Sequence, residues 1–227
     1  MKYEELIEKI KRFEDEYWFA EYVYFKALEH LQDVRQDISR LKLKKHVKDI
    51  IHIFLSQWGQ MARVVGKKDT EWDKLTDNLK RQKEAFQRLQ HETLLSINFD
   101  DEEMAKHVRN LYKSAKVRNI GPTAISKILH LLNPGLFVMW DDEIRKKWKK
   151  KYPRINESAD GYLEFLRAVQ GEVKEAIEEE LGRSRKSEQE IVEEICTTLP
   201  SKKLGSEYRT KTLAKLVDEY NWIDAHH

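Results

Sequence analysis

This chain of 227 residues has little cysteine, glycine and proline and no long apolar run, and each scarcity excludes a class of protein. A single cysteine, Cys196, excludes a disulfide framework and an iron–sulfur or all-cysteine zinc site within one chain. Eight glycines and four prolines are too few for a collagen-like or low-complexity chain. The two longest stretches without a charged residue, 50–62 and 128–140, have 13 residues each, whereas a membrane-spanning helix needs about 20.

The beginning of the chain, MKYEELIEKIKRF, carries charges throughout and lacks the apolar centre of a secretory signal. We therefore expect a soluble, intracellular protein of the cytoplasm that buries its two uncharged stretches.

Apolar residues repeat with the period of α-helices almost throughout, and alternating strand patterns are missing. The sequence predicts an all-α protein with helices over 3–16, 18–39, 42–65, 70–90, 101–116, 122–132, 141–151, 159–181, 187–198 and 206–222. We expect two lobes. Residues 40–140 form a helical barrel, and residues 1–39 together with 141–227 form a second helical lobe.

The net charge of +2 hides an uneven distribution. Residues 101–154 hold 13 Lys and Arg against 6 Asp and Glu, a net +7, and residues 155–199 hold 5 against 12, a net −7. The densest basic run, RKKWKKK at 145–151, contains an aromatic residue and is typical of a phosphate-binding surface. A solvated helix face is the alternative interpretation.

A short turn between two predicted helices, VRNIGPTA at 117–124, forms the first motif. In a chain with so few glycines, we expect Gly121 to make this turn. Pro122 suits the first helical position, where a missing N–H costs nothing. The free N–H groups at a helix start attract anions, and the Thr123 hydroxyl adds a donor. The turn therefore predicts a phosphate site, with Arg118 beside it.

The apolar stretch 128–140 leads directly to the acidic residues Asp141, Asp142 and Glu143. A carboxylate at the edge of a dry pocket can stabilise a developing cation or take a proton from water. The alternative is that Asp141 or Asp142 only caps the following helix.

These residues together resemble the helix-hairpin-helix DNA glycosylases, a superfamily that includes endonuclease III and the 8-oxoguanine glycosylases. The resemblance rests on IGPTA at 120–124 and on Asp141, twenty positions after Gly121. FLSQ at 54–57 is similar to the Leu-Ser-Gln segment that lines the base pocket in that superfamily. SKILH at 126–130, followed by Asn133-Pro134, looks closest to relatives of the 8-oxoguanine branch. The resemblance covers about residues 47–146.

The resemblance implies a two-lobed helical fold and a DNA-repair activity. Such a protein binds duplex DNA through the hairpin, flips out a damaged base, such as an oxidised purine, and excises it. Asp141 would be the catalytic residue, with Lys127 and Asp142 as further candidates. Gln57, Trp58 and Trp140 would line the base pocket. DNA contacts would come from Arg118, Asn119, Gly121, Thr123, Arg145, Lys146, Lys147, Lys149 and Lys150. In a prokaryote such a protein would lie with the nucleoid.

The chain also departs from that superfamily. Its lyase members carry a Schiff-base lysine just before the Thr-Ala-like pair, where this chain has Pro122, and Lys127 follows about one helical turn later. We therefore expect an N-glycosylase without lyase activity. The resemblance implies no cofactor, and the eight histidines have no spacing typical of a metal site.

Two other hypotheses stay open. The chain could be a non-catalytic helical protein that binds nucleic acid through the hairpin, which a purely capping Asp141 would favour. It could also be an interaction scaffold, which would be favoured if the hairpin and the basic run lay on different faces.

Overall fold

The computed structural model describes residues 1–17, 21–41, 45–58, 61–199 and 210–227. These residues form helices, with no β-strand among them, so the chain is all-α as predicted. The α-helices, in chain order, are α1 (Tyr3–Glu16), α2 (Glu21–His30), α3 (Gln32–Gln36), α4 (Lys45–Ile53), α5 (Ala62–Val65), α6 (Trp72–Arg81), α7 (Lys83–Leu89), α8 (Glu102–Ser114), α9 (Pro122–Leu132), α10 (Asp142–Lys151), α11 (Ala159–Leu181), α12 (Glu188–Thr198) and α13 (Leu213–His226). Within this part of the chain, no helix has the length and apolar character needed to cross a membrane.

The helix boundaries follow the sequence closely in some places and not in others. The predicted bounds of α1, α9 and α11 are confirmed. The predicted helix 70–90 is interrupted at Gln82, so that α6 ends at Arg81 and α7 begins at Lys83. The last helix extends four residues beyond its predicted end. Its predicted first residues, 206–209, lie outside the described part of the chain, as do residues 18–20, 42–44 and 59–60.

Buried apolar side chains from both ends and from the middle of the chain form one contiguous core. Helix α1 packs against α13 and α11, and α10 packs against α13. Helix α8 packs against α7, α9 and α11. The helices of the two termini are therefore neighbours, whereas the division into a 40–140 lobe and a lobe of 1–39 with 141–227 stays a prediction.

Buried hydrogen bonds fix the segment between α9 and α10, which ends at Asp141. The Nδ1 of His130 donates to the carbonyl oxygen of Phe137 at 2.6 Å, and its Nε2 accepts from the Tyr24 hydroxyl at 2.9 Å. Burial lowers the pKa of His130 to about 3, so the ring is neutral and can hold only this pair of roles. The chain therefore enters α10 from a fixed position.

A π-helical turn, Phe54–Trp58, interrupts the first uncharged stretch of the sequence. Such turns insert an extra residue into a helix and are frequent at functional sites. The ring of Trp58 stacks on Phe54, with centroids 5.1 Å apart and planes 14° apart. Trp58 is half-buried, whereas the preceding Gln57 is exposed.

Candidate active site

The hairpin that precedes α9 is built on a different residue from the one the sequence suggested. Val117 and Ile120 form an isolated antiparallel bridge, and Asn119 between them has a φ of 62°, in the left-handed region that asparagine tolerates. Gly121 has extended backbone with a φ of −91° and is the N-cap residue of α9. The expectation that Gly121 makes the turn is therefore wrong, although Pro122 does begin the helix as predicted.

Acidic side chains from the segment before α6 contact this hairpin. The Asn119 side-chain amide donates to Asp69 Oδ1 at 2.9 Å, and the Arg118 backbone N–H donates to Glu71 Oε2 at 3.1 Å. The Arg118 guanidinium is 3.9 Å from Asp69 Oδ2. The hydrogen bond from the Arg118 amide, aided by Lys74, lowers the pKa of Glu71. The predicted phosphate site is thus in contact with two carboxylates of the same chain.

A cavity of about 220 Å³ lies among α1, the π-helical turn, α9, α10 and α13. Its aromatic lining residues are Phe13, Tyr17, Trp58, Trp140 and Trp222. Its polar lining residues are Thr123, Lys127, Asp141, Asp218 and His226. The cavity therefore combines flat apolar walls with two carboxyl groups and one amine.

Asp141 uses its two carboxylate oxygens differently. Oδ1 accepts hydrogen bonds from the backbone N–H groups of Glu143 at 3.0 Å and Ile144 at 2.9 Å, which makes Asp141 the N-cap of α10. Oδ2 lies 3.2 Å from Nε2 of His226, and a quarter of the side chain is exposed. Asp141 is therefore a helix cap and a carboxylate of the cavity at the same time.

Lys127 brings a buried amine to the cavity. Its Nζ lies 5.1 Å from the centre of the Trp58 ring. Burial lowers the pKa of Lys127, and the neighbouring Asp218 and Asp141 partly oppose that shift. A lowered pKa increases the share of neutral amine, the form that acts as a nucleophile or a base. Lys127 follows Thr123 by four residues on α9, so both side chains face the cavity.

Asp218 lines the cavity from α13 and is only 4 % exposed. Its Oδ2 lies 3.9 Å from Lys215 Nζ. Burial raises the pKa of Asp218 to about 7, against the opposing effect of Lys215 and Lys127. Near neutral pH this carboxyl group can therefore both donate and accept hydrogen bonds.

Next to the cavity lies a group of buried charges that we call the ionic cluster, formed by Glu14, Glu21, Lys211, Lys215 and Glu219. Lys211 Nζ lies 2.7 Å from both Glu21 and Glu219, and Lys215 Nζ lies 2.5 Å from Glu219 and 3.2 Å from Glu21. The Trp58 indole N–H donates to Glu21 at 3.2 Å. The ionic cluster thus joins α1, α2 and α13 and reaches the cavity through Trp58.

The two central carboxyl groups of the ionic cluster differ in protonation. Burial opposes the ionisation of Glu21, but Lys211 and Lys215 outweigh it and lower the pKa of Glu21 to about 2. At Glu219 burial dominates over the same two lysines and raises the pKa to about 8. Burial therefore favours the protonated form of Glu219, whereas the two lysines favour the ionised form of Glu21.

Of the residues that the sequence assigned to chemistry and base binding, Asp141, Lys127, Trp58 and Trp140 line one cavity. Gln57 does not line it, because the π-helical turn leaves its side chain exposed. Asp142 also lies outside, since its exposed carboxylate pairs with Arg145 on the next turn of α10. For this cavity, the assignments of Gln57 and Asp142 are wrong.

Asp218 and Trp222 of α13 and Tyr17 at the end of α1 also line the cavity, although the sequence pattern assigned none of them to the site. A signal was present. Asp218 and Trp222 are four residues apart, so one turn of α13 presents a carboxyl group and an aromatic ring on the same face.

The basic run is largely paired within the protein. Arg145 is buried, pairs with Asp142 and Glu157, and donates to the Thr123 hydroxyl at 3.3 Å. Its assignment to a DNA contact is therefore wrong, and it instead ties α10 to the start of α9. Lys146 pairs with Glu143 at 2.6 Å, and Lys147 pairs with Asp224 at 2.6 Å.

Lys149 and Lys150 differ from these residues. Both are exposed, and no ion pair to either is present in the described part of the chain. They are therefore the members of the basic run that can contact a phosphate without breaking an ion pair.

No three His, Cys, Asp or Glu side chains of the described ranges are grouped so that they could hold a metal ion. Compared with protein-family models, curated proteins and solved structures, the chain gives no match.

Proposed function

We propose that this protein is a DNA glycosylase of the helix-hairpin-helix type, which binds duplex DNA through the hairpin and excises a damaged base. One observation carries the proposal: a single cavity contains the carboxylate of Asp141, the amine of Lys127 and several aromatic rings, and the hairpin helix α9 lines it. At about 220 Å³ the cavity is smaller than the roughly 300–1,000 Å³ of pockets for drug-sized ligands, and it suits one nucleobase.

Base release develops positive charge on the sugar as the bond to C1′ breaks. Asp141 suits the stabilisation of that charge, because two backbone N–H groups hold its Oδ1 and orient its Oδ2 toward the cavity. The half-buried rings of Trp58 and Trp222 offer flat surfaces for a flipped base. Asp218 can exchange hydrogen bonds with the polar edge of that base.

Lys127 extends the proposal to lyase chemistry. The expectation of a glycosylase without lyase activity rested on Pro122, which occupies the usual lysine position. The amine of Lys127, however, lies in the same cavity as Asp141, and burial lowers its pKa, which increases the share of the neutral form. Such an amine can attack C1′, displace the base and form a Schiff base with the opened sugar.

A second candidate function is nucleic-acid binding without catalysis. One observation favours it: both carboxylate oxygens of Asp141 have partners within the protein. The two candidates differ in whether a bound base is released.

The proposal is tested with a panel of oligonucleotide duplexes that each contain one damaged base. Base release is measured with and without a subsequent strand-cleaving treatment, and covalent trapping is measured with borohydride. We expect release from at least one duplex and a loss of about 100-fold or more in Asp141→Asn with DNA binding retained. Lys127→Gln should abolish trapping.

Asp142→Asn is the matched control, because it removes the neighbouring carboxylate outside the cavity and should retain activity. Binding of every duplex without release of any base would favour the non-catalytic candidate. Release that is unchanged in Asp141→Asn would contradict the proposed role of this residue.

A further inference from the structure

Two of the hairpin residues assigned to DNA contacts, Arg118 and Asn119, already donate hydrogen bonds to carboxylates of the protein itself. Glu71 accepts from the Arg118 backbone N–H, and Asp69 accepts from the Asn119 side chain. A carboxylate and a phosphate place the same demand on these groups, because both are anions that accept hydrogen bonds from N–H donors. The two cannot occupy the same donors together.

The acidic side chains are suited to displacement. The Asp69 side chain is 60 % exposed and the Glu71 side chain is 32 % exposed. Either carboxylate can therefore turn into solvent, and neither would then be buried without a partner. Lys74 Nζ lies 3.2 Å from Glu71 and can keep that carboxylate paired after it leaves the hairpin. Glu71 also makes no side-chain cap to α6, so its release leaves the helix start unchanged.

We propose that Asp69 and Glu71 are an internal competitor for phosphate at the hairpin, so that DNA must displace them to bind. The inference rests on the proposed function, since it concerns regulation of the same DNA-binding hairpin. Duplex DNA carries closely spaced phosphates and can outcompete the two carboxylates, at the cost of weaker backbone binding to every duplex. A hairpin regulated in this way releases bound duplex readily.

The test compares wild type with Asp69→Asn/Glu71→Gln, which keeps the size of both side chains and removes their charges. The matched control is Asp73→Asn/Asp77→Asn. It removes two charges from exposed positions of α6. Within the described part of the chain, neither Asp73 nor Asp77 forms an ion pair. Dissociation constants for an undamaged duplex are measured by fluorescence anisotropy across a series of salt concentrations. Thermal melting checks that all variants are folded.

A second measurement does not depend on DNA. Inorganic phosphate is titrated while the backbone amide resonances of Gly121 and Thr123 are followed by NMR. We expect the competitor variant to bind duplex about tenfold more tightly than the control, with a steeper salt dependence, and to respond to lower phosphate concentrations.

Equal behaviour of the two double variants in both measurements would overturn the inference and leave the proposed function standing, because the effect would be one of general charge. The remaining outcome is that the competitor variant responds to lower phosphate concentrations than the control, while neither wild type nor either variant binds duplex. That result would support the competition and overturn the proposed function.

Discussion

At Asp141, the capping role in the structure and the catalytic role that we propose are compatible in one side chain. Capping and catalysis are alternatives when only the sequence is considered, because each accounts for an aspartate before a helix. In the folded protein the cap occupies Oδ1 and leaves Oδ2 to face His226 at the cavity, so the cap would orient the oxygen for which we propose a catalytic role. The contact with His226 adds a partner from the last turn of α13.

Gly121 allows a test that separates folding from DNA binding. Its backbone is extended, and a Cβ added there would meet no atom within 4 Å. We therefore expect Gly121→Ala to change the free energy of unfolding by no more than about 1 kcal/mol, because the more restricted unfolded chain stabilises the fold while alanine is less favourable than glycine at the N-cap of α9. The same methyl group would stand where a phosphate approaches the start of α9, so duplex affinity should fall severalfold.

Gly171→Ala is the control for this prediction. Gly171 lies within α11, and a Cβ there also meets no atom within 4 Å. This variant should gain about 0.5–1 kcal/mol from helix propensity and should leave DNA binding unchanged. Urea unfolding and fluorescence anisotropy provide the two readouts. If Gly121→Ala bound duplex like wild type, phosphate would not approach the hairpin at this residue.

At the scale of the element, α13 is more than the apolar helix that its pattern predicts. Leu213, Leu216, Val217 and Tyr220 are buried as the helical period indicates. Polar residues between them are buried as well, and one of these, Lys215, pairs with Glu21 of α2, nearly two hundred residues earlier. A period reports which residues of one helix share a face, and it carries no information about a distant partner.

The ionic cluster predicts a dependence of stability on pH through Glu219. Its folded-state pKa, about 8, lies above the ordinary value of 4.5, so its contribution to the free energy of unfolding is complete below pH 4.5 and is lost as the pH rises through 8. Glu219→Gln cannot titrate. We therefore expect the stability of wild type relative to this variant to decrease across that range, by at most about 1.4 kcal/mol per pH unit.

Denaturant unfolding of both proteins at a series of pH values measures this difference. Glu175→Gln, at an exposed position of α11, is the matched control, and its profile should run parallel to that of wild type. Parallel profiles for wild type and Glu219→Gln would show that the Glu219 proton is not linked to folding.

At the scale of the whole molecule, the basic run is less available than its charge suggests. Several of its members pair with carboxylates from their own helix or from α13, and Lys149 and Lys150 stay exposed. We expect Lys149→Ala/Lys150→Ala to weaken duplex binding for all sequences alike. Each phosphate contact that is lost should reduce the slope of log affinity against log salt by about 1.

Lys146→Ala/Lys147→Ala removes the same formal charge from the same helix and serves as the comparison. Because both of its lysines have carboxylate partners, its effect on the salt slope should be smaller. Equal slopes for the two double variants, measured by anisotropy, would mean that total charge rather than unpaired charge governs binding.

The sequence by itself determined the helical class, the bounds of α1, α9 and α11, and the position of Asp141 at the start of α10. These are local properties, since apolar period, capping and proline placement act within a few residues. Only the tertiary structure decided which side chains share the cavity. It brought Asp218 and Trp222 to Asp141, turned Gln57 outward, and set Asp69 and Glu71 against the hairpin. Those outcomes depend on packing between helices far apart in the chain, which no local pattern encodes.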